Sequence, residues 1–151
     1  NRFSLANLRQ SQGHSSAAVE AYHQALKLRP DSAPIYNNLG YTLQQLGEWE
    51  EAIACYQKAL EIEPNCIEAD VNWGNALYAQ GKLSKDKQLH YAQLNHKLGV
   101  LREQAKDLQN AAAYYEQAIN LQPDLVEADY HLEMVLQAQG DLEEAIGCYQ
   151  V

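Results

Sequence analysis

The sequence predicts an all-α fold, a solenoid built from antiparallel helix hairpins. Two observations lead there. First, chemically similar residues recur with a step of 34: Gly13, Gly47 and Gly81; Pro30 and Pro64; Ala18 and Ala52, then Ala111 and Ala145; Tyr22 and Tyr56, then Tyr115 and Tyr149. Lys106 to Gly140 keeps the same step. A fixed period in this range means stacked supersecondary units, none of which buries its own apolar face. Second, apolar residues inside each period fall at helical spacing and are punctuated by Gly or Pro.

The first unit, about residues 1–32, carries Gly13, Ala18, Tyr22, Ala25 and Pro30. The second, 33–66, is the clearest. Tyr36, Leu39, Leu43 and Leu46 lie on one face of a first helix. Pro34 sits in its first turn, where a missing N–H is harmless. Gly47 follows its end, where a left-handed residue closes a helix. Ile53, Tyr56 and Leu60 stripe the second helix, Trp49 to Ile62, and Pro64 stops it. So short a connection makes the two helices antiparallel. Gly40 and Ala52 allow close backbone approach and leave room for Tyr56, and Ala59 does the same toward the next repeat.

The third unit, 67–91, is incomplete. It opens normally with Trp73-Gly74, Leu77 and Gly81, and Leu83 fits the start of a second helix. Asp86 and Lys87 then stand where Ala and Ile are needed. Pro64 to Pro123 spans 59 positions against 68 for two repeats, so a second helix of normal length does not fit. Three arrangements remain open: residues absent from the sequence after about Ser84; one long helix over 84–105, or cover from a partner chain over Trp73, Leu77 and Tyr78; or a shortened helix over 83–91. The fourth unit, 92–125, has Leu94, Leu98, Leu101 and Ala105 on its first helix, then Ala111, Tyr115, Ala118 and Pro123. The fifth, 126–151, has Leu132, Leu136, Gly140, Ala145 and Tyr149. Glu133 occupies the close-approach slot held elsewhere by Ala6, Gly40, Gly74 and Gly99, and is expected to push the last hairpin apart or tilt into water.

These slots resemble the tetratricopeptide repeat family: a large residue, Leu-Gly, a Leu or Tyr, a turn Gly, then Ala, Tyr, Ala and Pro. In the second unit they are Tyr36, Leu39-Gly40, Leu43, Gly47, Ala52, Tyr56, Ala59 and Pro64. The resemblance covers nearly the whole chain and implies a right-handed superhelix of about five repeats. It also implies a concave groove lined by the first helices, along which peptides lie. Carried onto this sequence, the lining is Asn37, Asn38, Tyr41, Gln44, Gln45, Asn72, Asn75, Tyr78, His96, Lys97, Val100, Tyr130, His131 and Met134, with Phe3 and Asn7 in the first unit. Asn38 and Asn72 share one slot. Asparagine there resembles the peptide-binding superhelix of the O-linked N-acetylglucosamine transferases, whose amides clamp a peptide backbone. Ser4, Lys97 and His131 hold that slot in the other units. Family members that grip a C-terminal carboxylate use cations where this chain has Phe3, Glu68 and Asn72, so that mode is not expected.

Charge limits the partners. The 151 residues carry a net charge of −9, which argues against nucleic acid and anionic membranes. With Glu68, Glu103 and Glu127 on the expected inner face, neutral or basic peptides are favoured. No apolar run reaches membrane-spanning length. Cys55, Cys66 and Cys148 form no C-x-x-C pair and read as reduced thiols of a cytoplasmic protein. His14, His23, His90, His96 and His131 form no i, i+4 pair, and neither metal, cofactor nor catalytic constellation is expected. The expectation is a non-enzymatic peptide-binding module. The alternatives are the substrate-recruiting arm of a larger enzyme such as a glycosyltransferase, or a self-associating spacer. The chain starts without Met and both ends cut through repeats, so a piece of a longer protein is expected. End-to-end association through Leu5, Leu8, Ile146 and Tyr149 is expected with it.

Overall fold

A computed structural model describes the backbone of residues 2–149 and the side chains of residues 13–143. Seven helices and no strand are found among the described residues. They fall into two compact units that meet in sequence at Gly81 and Lys82.

Unit 1 contains α1 (Arg2–Leu28), α2 (Ala33–Gln45), α3 (Trp49–Ile62) and α4 (Ile67–Ala79). Ser32 caps α2: its hydroxyl accepts the Ile35 N–H at 3.3 Å, and Pro34 lies in the first turn as expected. At the other end Gly47 takes φ +82°, its N–H donates to the Gln44 carbonyl, and Glu48 N–H donates to that of Leu43. This paired closure satisfies two carbonyls that the helix end would leave unpaired. The chain then turns directly into α3, whose Ala52 and Tyr56 are buried against Leu39 and Leu43 of α2 and Ala76 of α4. Ala33, Ala59 and Ala69 meet where α2, α3 and α4 begin or end, so Ala59 is the contact toward the next helix.

Unit 2 repeats this design with α5 (Lys85–Gln104), α6 (Leu108–Leu121) and α7 (Val126–Tyr149). Lys106 takes the Gly47 position at φ 65°, with the same two closing bonds: Lys106 N–H to Glu103 and Asp107 N–H to Arg102. Tyr115, Ala111 and Ala118 of α6 are fully buried, Tyr115 and Ala111 clustering with Val135 of α7. A constant offset of 59 positions relates the units: Gly40 to Gly99, Tyr56 to Tyr115, Ala59 to Ala118, Ala69 to Ala128.

Several expectations change. Of the arrangements left open around residue 84, the structure has one helix from Lys85 to Gln104 and no separate helix over 83–91. The buried side of α5 is Tyr91, Ala92, Asn95, Leu98 and Gly99; of the expected stripe Leu98 is buried and Leu94 half-buried, but Leu101, 43% exposed, and Ala105 face outward. Gly99 must face Tyr115, and that contact turns Leu101 outward. Asn95 fills the slot of Tyr36 and satisfies its amide by donating to the Tyr91 carbonyl at 2.8 Å.

Gly13 and Gly140 make no turn: α1 and α7 run straight through them. Glycine permits a left-handed end but does not impose one, and in a helix it costs only about 1 kcal/mol. The later half of α1 still packs as a second helix, through Val19, Tyr22 and Leu26. Because α7 does not fold back at Gly140, Glu133 meets no partner helix in a close-approach slot and is exposed. The side chains of Phe3, Leu5, Asn7, Leu8, Ile146, Cys148 and Tyr149 lie outside the described residues.

Candidate functional site

The first-helix faces are built from the packing inward. Tyr56 and Tyr115 each fill the space above a glycine. A Cβ placed on Gly40 would lie 2.6 Å from Tyr56, and one on Gly99 2.6 Å from Tyr115. Each ring then extends its hydroxyl to the first helix of its own hairpin. Tyr56 donates to Gln44 Oε1 at 2.7 Å and Tyr115 donates to Glu103 Oε1 at 2.8 Å. Two expected lining positions, Gln44 and Glu103, are therefore occupied holding the packing tyrosines.

Beside these tyrosines, neighbouring first helices join side chain to side chain. In unit 1, Asn72 Nδ2 donates to Asn37 Oδ1 at 2.9 Å, across 35 positions. Asn37 is 5% exposed, so it underlies the surface that it was expected to line. Asn38, in the preceding equivalent of the Asn72 slot, stays exposed, and its carbonyl accepts the Thr42 hydroxyl. In unit 2 the same positions hold His96 and His131, also 35 apart, with His96 Nε2 and His131 Nδ1 at 2.8 Å. The ring centroids are 5.0 Å apart at 14°. That separation is two ring radii added to the N···N distance, so the rings meet edge to edge in one plane and are not stacked face on face. Tyr115 lies against both, at 5.7 Å from His96 and 5.4 Å from His131, and Tyr130 flanks His131. Burial, then the neighbouring His131, lowers the His96 pKa, and Glu127 partly opposes this. The pair was missed from sequence because its spacing is one repeat plus one residue; the Asn37–Asn72 spacing was the available signal.

The outward-facing remainder is as follows. In unit 1, Asn38, Tyr41 and Gln45 are exposed, and Asn72, Asn75 and Tyr78 are half-buried. In unit 2, Lys97, Tyr130 and Met134 are exposed, and His96, Val100 and His131 are half-buried. Asn7 lies outside the described side chains. Among the described residues no three His, Cys, Asp or Glu are grouped to hold a metal. No described helix is long and apolar enough to cross a membrane.

Three family models match the chain: one described as tetratricopeptide repeat over residues 33–66, one as TPR repeat over 6–47, and a second tetratricopeptide repeat model over 92–125. Solved structures of low identity are similar. One is a MamA protein, at 21% identity over 95% of this chain and 84% of that one, with TM-score 0.49. Another is MamA from Desulfovibrio magneticus RS-1, at 18% identity over 99% and 88%, TM-score 0.49. A third is YrrB, described as a TPR protein with an unusual peptide-binding site, at 28% identity over 85% and 71%, TM-score 0.46. With three models matching over residues 6–66 and 92–125, at the repeats whose hairpins are described above, the chain belongs to the tetratricopeptide repeat family, whose repeats form protein–protein interaction modules.

Proposed function

We propose that each unit of this interaction module receives an extended peptide on its own first-helix face, α2 with α4 in unit 1 and α5 with α7 in unit 2. The observation that carries the reading is the exposure of large side chains on those faces. Tyr41 is 49% exposed, Tyr130 59% and Met134 47%. Tyrosine and methionine offer broad adaptable contact area, and exposed apolar surface of this kind marks sites of association. Asn38 and Gln45 beside Tyr41, and Lys97 on α5, offer hydrogen-bonding groups to a backbone. The net charge of −9 favours neutral or basic peptides and makes binding weaken with salt.

A peptide array followed by calorimetry tests this. Asn38→Ala with Tyr41→Ala, and separately Tyr130→Ala with Met134→Ala, remove exposed groups only. Each pair is expected to weaken, several-fold and without lowering the melting temperature, the best array peptide bound by its own unit. Unchanged affinity in both pairs, or a preference for strongly acidic peptides, overturns the reading.

A further inference from the structure

We propose that His96 and His131 form a binding site for a borderline transition-metal cation, zinc or nickel, which takes the place of the proton between them. Imidazole nitrogens are good ligands for such ions, and two of them here are already brought together from neighbouring first helices. His96 Nε2 and His131 Nδ1 lie 2.8 Å apart with the rings nearly coplanar at 14°. A tetrahedral zinc with Zn–N of about 2.0–2.1 Å needs its nitrogens only about 3.4 Å apart. Opening the pair by a fraction of an ångström, and tilting each half-exposed ring so that lone pairs now facing one another converge beside the N···N line, supplies that. The Tyr115 ring lies against both imidazoles and keeps them side by side. Glu127, one turn before His131 on α7, places negative charge where His96 feels it, which favours a cation. With no third protein ligand grouped there among the described residues, water completes the coordination.

The proton balance is simple. The bond between the rings uses one N–H of one imidazole and one lone pair of the other. Binding moves that hydrogen to the far nitrogen of the same ring, so both facing lone pairs go to the metal without net proton release. In acid, each imidazolium formed must lose its proton to bind, so affinity falls.

The control is written in unit 1. The equivalent positions there hold Asn37 and Asn72, joined in the same way. His96→Asn with His131→Asn therefore replaces the imidazole pair by an amide pair that this fold already accommodates. Zinc chloride alone, then nickel chloride alone, is titrated calorimetrically into the full chain at about pH 7.5 and about pH 5.5. One equivalent is expected to bind at the higher pH, raise the melting temperature and be reversed by chelator. Binding should be roughly tenfold weaker or more in the double variant and at the lower pH. In the unaltered chain the imidazole signals of His96 and His131 should be the ones displaced in NMR spectra, a readout that does not depend on the variant folding. Equal binding by the variant, no saturable binding, or displacement of His14, His23 or His90 instead overturns the proposal.

Discussion

Gly99 lies directly beneath the ring of Tyr115: a Cβ at Gly99 would sit 2.6 Å from Cε1 and 2.7 Å from Cδ1. The same contact recurs between Gly40 and Tyr56, where the Ala52 carbonyl oxygen is also only 3.0 Å away. These glycines are kept for space, since both lie within helices. Gly99→Ala and Gly40→Ala are expected to destabilise by about 1–3 kcal/mol despite alanine's better helix propensity, because the tyrosine must leave its rotamer and its hydroxyl bond. Gly13 and Gly140, also helical, would place a Cβ in open space. Gly13→Ala and Gly140→Ala should therefore stabilise by roughly 0.5–1 kcal/mol. Denaturant melts of the four variants check the sign; destabilisation by all four would mean that both ends turn at their glycines.

Lys106 holds a left-handed conformation at φ 65°, where Gly47 and Gly81 serve elsewhere. A lysine Cβ there costs energy that glycine does not pay. Lys106→Gly is expected to stabilise by about 1 kcal/mol, while Gly47→Ala at φ +82° destabilises by a similar amount. Equilibrium unfolding measures both, and a destabilised Lys106→Gly would show that the side chain makes a compensating contact.

Much of this was legible because each repeat slot does one physical job. Pro34 and Gly47 mark local boundaries, and Ala52, Tyr56 and Ala59 mark contacts whose size alone identifies them. Two classes of feature were not legible. Gly13 and Gly140 share the period but lie within helices, because a turn needs packing on both sides as well as a permissive residue. The Asn37–Asn72 and His96–His131 contacts join different slots of neighbouring repeats, so a search for identical slots pairs Asn72 with Asn38 instead. Glu133 belongs to the first class: exposed on a straight α7, it should tolerate Ala nearly without effect, whereas Glu133→Gly should cost about 1 kcal/mol.

Alkaline conditions should weaken the fold. Burial, then the neighbouring Glu51, pushes the Cys55 thiol up to about 11. Burial, then the bond to Glu103 and its charge, raises the Tyr115 hydroxyl well above the usual tyrosine range. Both groups hold their protons more tightly folded than unfolded. Their stabilisation is thus complete below the unfolded pKa of each and is lost as pH rises through the folded one. Melting temperatures should fall from about pH 9 upward, and Tyr115→Phe should flatten the part above about pH 10. At neutral pH the protonated Cys55 should alkylate much more slowly in the folded than in the unfolded chain. Rapid alkylation of Cys55, or an unchanged alkaline profile in Tyr115→Phe, would contradict this.

Asn38 and Asn72 share a slot but have separate tasks. Asn38 is exposed, while Asn72 donates to Asn37, which is 5% exposed. Removing Asn72 leaves a buried amide oxygen without that donor, and such a loss costs about 1–3 kcal/mol. Asn72→Ala should accordingly lower the melting temperature, as should Asn37→Ala. Asn38→Ala should leave stability unchanged and act only on peptide affinity. A double-mutant cycle on Asn37 and Asn72 separates the contact from the cost of truncation: the two losses should be clearly less than additive, since either one breaks the same bond. Full additivity would show that the pair contributes nothing as a pair, and the alignment of α2 with α4 would then rest on apolar packing, through Ala33, Ala59 and Ala69 and through Leu39, Leu43 and Ala76.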